Sequence, residues 1–60
     1  MAKESKRAIL ERLAKKVWPD VVRVYFVPRK GWYAERQSGQ VEFIEANYFE
    51  ALQWLEGQIS

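Results

Sequence analysis

Sixty residues set a ceiling of one domain, and a chain this short buries only about 60% of the surface it exposes when unfolded. With no cysteine and no histidine, disulfide staples, thiolate nucleophiles, imidazole bases and the common zinc ligand sets are all excluded. The net charge is +2, but residues 1–16 carry +4, residues 17–39 carry +2 and residues 40–60 carry −4, a segregation able to orient the molecule in a partner's field.

The first element predicted is an amphipathic helix. Ser5 is a suitable cap, although the helix has residues able to start it as early as Ala2 or Lys3. Ile9, Leu10, Leu13, Ala14 and Val17 recur at helical spacing, and Lys6, Arg7, Glu11, Arg12, Lys15 and Lys16 fill the remaining arc. Trp18-Pro19 stops the helix, because a residue preceding proline is driven out of helical space, and Trp18 is expected to fold over the edge of the core.

Val21 to Val27 is a run of β-branched and aromatic residues suited to a strand, and Pro28 ends it because it has no N–H for a ladder. Side chains alternate across a sheet, and Val22, Val24 and Phe26 form an unbroken apolar row, so this row is expected inside, with Val21, Arg23, Tyr25 and Val27 outside. Pro28-Arg29-Lys30-Gly31 is turn chemistry. Trp32 to Gln37 forms the second strand, with Trp32 and Ala34 inward and Tyr33, Glu35 and Gln37 outward.

Ser38-Gly39 makes the next turn, and Gln40 to Glu45 is the third strand, with Val41 and Phe43 expected inside. A two-residue loop sets Glu35 opposite Glu42, a like-charge pairing that costs a few tenths of a kcal/mol to about 1. A three-residue loop, Gln37-Ser38-Gly39, places glycine at a left-handed position and removes that pairing. It also moves Ile44 opposite Trp32 and Phe43 to the other face.

Asn47-Tyr48-Phe49-Glu50 has the form of a capping box and opens a second helix. Tyr48, Ala51, Leu52, Leu55 and Ile59 make its core stripe, flanked by Phe49 and Trp54, with Gly57 as the expected stop and fraying to Ser60. The reading is a single α+β domain over 1–60: helix, three-stranded antiparallel meander, helix. Two amphipathic helices need one apolar sheet face, so both are expected on the same side. Stability of about 3–9 kcal/mol follows from the per-residue range for small domains.

Four sets of residues are candidates for function. The sheet face left bare by the helices would present Val21, Tyr25, Val27, Tyr33 and Ile44. An apolar patch on a small monomer marks a contact surface, so Tyr25, Val27, Tyr33 and Ile44 are assigned to a protein partner or a second copy. Arg23, Arg29, Lys30 and Arg36, interleaved with Tyr25, Tyr33 and Trp32 and joined by the basic first helix, form an alternative set for nucleic acid. Glu35 and Glu42 are the one carboxylate pair worth testing as an acid–base dyad, but no nucleophile or histidine accompanies them. Glu42, Glu45 and Glu50 are spaced unlike any dedicated cation loop, and neither a phosphate-cradling glycine loop nor a nucleophile elbow is present.

No apolar run approaches the roughly 18 residues of a membrane span, and the basic amino terminus lacks the apolar region of a signal peptide. A cytoplasmic, non-enzymatic protein with no cofactor, metal or membrane partner is the expectation.

The element order in about 60 residues resembles that of double-stranded RNA-binding domains, an order shared by small toxin-type ribonucleases of toxin–antitoxin pairs. The chain departs from both patterns. Pro28-Arg29-Lys30-Gly31 stands where double-stranded RNA binders carry a Gly-Pro-x-His-like loop. Tyr48-Phe49-Glu50-Ala51-Leu52 stands where they carry a Lys-Lys-x-Ala-Lys run, so the phosphate clamp is missing. The ribonucleases need a histidine, which is absent. The run Val27 to Arg36, followed by Glu50-Ala51-Leu52, also looks like small uncharacterised bacterial hairpin–helix domains, a likeness that implies no activity.

Overall fold

A computed structural model describes residues 4–60. It contains α1 (Lys6–Val17), β1 (Val21–Val27), β2 (Gly31–Arg36), β3 (Val41–Phe43) and α2 (Tyr48–Ile59). The strands form one antiparallel sheet in the order β1-β2-β3.

Each helix starts at a side-chain cap. The Ser5 hydroxyl accepts from the Ala8 N–H at 3.1 Å, and the Asn47 carboxamide oxygen accepts from the Glu50 N–H at 2.9 Å. Glu50 Oε1 accepts in return from Asn47 Nδ2, also at 2.9 Å, so the side chains of the capping box lock each other. Ala2 and Lys3, as possible earlier starts, lie outside the described residues. Trp18 is extended (φ −125°, ψ 96°), as a residue before proline must be, and its carbonyl accepts the Val21 N–H to turn the chain into β1. Gly57 does not end α2, which runs on to Ile59. An exposed glycine inside a helix costs roughly 1 kcal/mol and is tolerated.

The core is one cluster on one side of the sheet. Leu10 and Ala14 from α1 and Ala51 and Leu55 from α2 meet Val21, Val24, Trp32, Ala34 and Ile44. Both helices therefore cover the same face. Leu13, Val17, Tyr48 and Leu52 pack around this cluster, and the indoles of Trp18 and Trp54 stack against its edge with centroids 5.6 Å apart.

Two details of the sheet reverse the expected facing. Val21 pairs with Arg36 and Arg23 with Glu35, so Val22 is an extra residue without a partner in β2. This bulge shifts the alternation by one, leaving Val21 and Val24 buried and Val22 50% exposed. Phe26 keeps its place on the helix side opposite Trp32, but at the open rim, 48% exposed. In β3 the three-residue loop is the one adopted: Gly39 has φ +94°, its N–H donates to the Arg36 carbonyl, and the Arg36 N–H donates to the Gln40 carbonyl. Ile44 is thereby set opposite Trp32, donating its N–H to the Trp32 carbonyl at 2.8 Å, and is buried. Val41 and Phe43, expected inside, lie on the other face and are exposed.

Candidate functional site: the uncovered face of the sheet

The face away from the helices carries one aromatic ring from each strand, aligned in register. Tyr25 in β1 pairs with Tyr33 in β2, and Tyr33 with Phe43 in β3. The tyrosine rings stack at 5.9 Å with 20° between their planes, and Phe43 meets Tyr33 edge-on at 5.4 Å. Such pairs contribute about 0.5–1.5 kcal/mol each beyond area burial, so the rings hold one another in place. The Arg23 guanidinium lies 5.1 Å from the Tyr25 ring centroid and ends the row, while its Nε donates to Glu35 Oε1 at 2.6 Å. The result is a stripe Arg23–Tyr25–Tyr33–Phe43 across all three strands, flanked by Val41 and the half-buried Val27.

Gly31 makes the Phe43 end of this stripe possible. A Cβ on Gly31 would stand 2.6 Å from the Glu45 carbonyl oxygen, 2.8 Å from Ala46 Cα and 3.0 Å from the Phe43 ring, and its φ is +134°. The chain after β3 thus passes directly over bare backbone. The left-handed residue of the preceding turn is not this glycine but Arg29, at φ +68°, with the Lys30 N–H donating to the Val27 carbonyl at 3.0 Å.

Of the residues assigned to a protein contact, Tyr25, Val27 and Tyr33 lie on the uncovered face and are half-buried. Ile44 does not. It is 2% exposed, because the longer loop rotates it into the core and Phe43 takes the outer place. Phe43 and Val41 are the surface residues that sequence reasoning missed. The signal for them was the like-charge pairing of Glu35 and Glu42, which the shorter loop could not avoid.

The basic residues do not form one patch. Arg23 is tied to Glu35 on the uncovered face. Arg36 lies on the helix side, where its Nε donates to both carboxylate oxygens of Asp20 at 2.9 and 3.1 Å and its Nη1 reaches Glu42 at 3.4 Å. The hydrogen bond to Asp20 is the largest cause holding Arg36 above the ordinary arginine pKa, with a smaller share from Glu42. Arg29 and Lys30 are exposed at the hairpin tip, away from these pairs.

The carboxylate dyad does not form. Glu42 sits opposite Ala34 and Glu35 opposite Val41, so the two point to opposite faces, each answered by an arginine. Among the described residues no group of acidic side chains is arranged to hold a metal ion, and no helix is long and apolar enough to cross a membrane. No family model matches the chain, and neither a curated protein nor a solved structure matches it.

Proposed function

We propose that this chain is a small non-enzymatic interaction module that binds a protein partner through the uncovered face of its sheet. The observation that supports the reading is the continuous row Tyr25–Tyr33–Phe43, on a face to which neither helix contributes. Amphipathic aromatic rings already fixed by their neighbours lose little conformational freedom on binding, which is why tyrosine is enriched at interface hot spots. Among the described residues the charge pair on this face is Arg23–Glu35, which is internally balanced, so the surface suits a protein better than a polyanion. Nucleic-acid binding, the alternative, draws support only from Arg29, Lys30 and the basic arc of α1.

The test is capture from native lysate, read for protein and nucleic acid together, at low and high salt. The expected result is a protein retained by the wild-type chain and by the Arg29→Glu/Lys30→Glu variant at both salt concentrations, and lost with Tyr33→Ala while the variant stays folded. Nucleic acid retained at low salt, released at high salt and lost with Arg29→Glu/Lys30→Glu would instead favour the alternative. Capture of nothing by the wild-type chain overturns both.

A further inference from the structure

We infer that the free edge of β1 pairs with β1 of a second copy, antiparallel about Tyr25, to give a six-stranded sheet. The hydrogen bonds of Trp32 fix which backbone groups of β1 are free. The Trp32 N–H donates to the Glu45 carbonyl and its own carbonyl accepts from Ile44, both at 2.8 Å, so both polar backbone groups of Trp32 face β3. Phe26, directly opposite Trp32, is therefore on the non-bonded rung of the β1–β2 ladder, and its own N–H and carbonyl face away from the sheet. Val24, two residues earlier and opposite Ala34, is in the same position. Among the described residues no turn, cap or side-chain bond reaches these four groups. At the other edge β3 has three residues, against seven in β1.

Only one antiparallel register uses all four free groups and avoids both the bulge at Val22 and Pro28. It sets Val24 against Phe26 of the second copy, Phe26 against Val24, and Tyr25 against Tyr25 on the symmetry axis. Four backbone hydrogen bonds form. Arg23 falls opposite Val27, so no like charges face each other within the strand pair. The half-exposed Phe26 ring gains an apolar neighbour, and the row of rings on the uncovered face continues through the axis, from Phe43 of one copy to Phe43 of the other. The bulge and Arg23 limit the pairing to this short stretch, since both are devices that blunt an edge. A contact built on five residues a side is smaller than a standard interface of about 800 Å² per partner, which is roughly a fifth of the 4390 Å² surface here. The expected dimer is accordingly weak and concentration-dependent. This inference does not rest on the uncovered face binding a protein.

The test uses sedimentation of the full chain from micromolar to millimolar concentration, in about 0.15 M salt so that the basic α1 helices of the two copies are screened. It is joined by disulfide trapping, which is clean because the chain has no cysteine of its own. In the edge-paired dimer the two Cα atoms of residue 25 stand about 4.5 Å apart, within disulfide range, whereas those of residue 33 are separated by three strand spacings, about 14 Å. The expected results are a monomer–dimer equilibrium, rapid oxidation of Tyr25→Cys to a dimer, and slow oxidation of Tyr33→Cys. Phe26→Pro removes a free donor while sparing the β1–β2 ladder, so it should remain folded and monomeric. A chain monomeric at every concentration overturns the inference, as does Tyr33→Cys oxidising as fast as Tyr25→Cys, the mark of copies meeting face to face. A folded Phe26→Pro that still dimerises also overturns it; should that variant not fold, the cysteine comparison decides alone.

Discussion

Gly31 and Ala46 pass so close that a methyl group on the glycine would stand 2.8 Å from the Ala46 Cα. Backbone lies on both sides of that gap, so nothing flexible can yield. Gly31→Ala is expected to destabilise the domain by about 2–4 kcal/mol, from overpacking and from a φ of +134° that alanine disfavours. Gly39, at φ +94° with open space where a methyl group would stand, isolates the conformational part, and Gly39→Ala should cost about 1 kcal/mol. Urea unfolding of the two variants side by side measures the difference.

Trp32 and Phe26 face each other across the ladder with their rings 5.2 Å apart, yet their exposure differs about fivefold, 9% against 48%. Trp32→Ala should cost about 3–5 kcal/mol and leave the domain largely unfolded, while Phe26→Ala should cost only about 1–2 kcal/mol. Equal losses in chemical denaturation would mean the rim of the core is packed more tightly than its exposure indicates.

Ser5 and Asn47 each satisfy one otherwise orphaned N–H at the start of a helix. Alanine at either position should lower stability by about 1 kcal/mol, and the double variant by the sum, because the caps share no partner. Thermal melts followed by circular dichroism provide the measurement.

Arg29 occupies left-handed space at φ +68°, where a residue with a side chain is disfavoured by about 1–2 kcal/mol. Arg29→Gly relieves that strain but adds freedom to the unfolded chain, which takes back about 0.4–1 kcal/mol. A net gain of roughly 0.5 kcal/mol is expected from the denaturation midpoint. A loss would show that the arginine side chain itself contributes to the hairpin.

Arg36 is held above the ordinary arginine pKa first by its hydrogen bond to Asp20. A raised pKa in the folded state stabilises at every pH below the unfolded value and is lost only as pH rises through the folded one. From neutral to mildly alkaline pH the contribution is therefore constant. The difference in melting temperature between wild type and Arg36→Gln should stay flat across that range and shrink only in strong alkali.

The helices were legible because each signal in them is local. A cap, an apolar stripe and the Trp18-Pro19 stop all act within a few residues, and α2 overran its expected end only where one exposed glycine was tolerated. The three strands and their order were equally plain. What failed was facing, and it failed twice by a single residue. The extra Val22 in β1 exchanged it for Val21 in the core, and a third loop residue before Gln40 exchanged Val41 and Phe43 for Ile44. Strand side chains alternate with period two, so a miscount of one moves every later residue to the opposite face. For β3 the clash between Glu35 and Glu42 carried the correct answer. For β1 nothing in Val21-Val22 distinguishes two identical valines, and only the path of β2 beside them does.

The stacked indoles of Trp18 and Trp54 join the end of the first helix to the second, bringing together opposite halves of the chain. Two chromophores in face-to-face contact share their excited states, so they produce a paired circular-dichroism band that a lone indole cannot. The molecule therefore contains its own optical gauge of helix docking, one that should vanish when α2 lifts away even if both helices keep their turns.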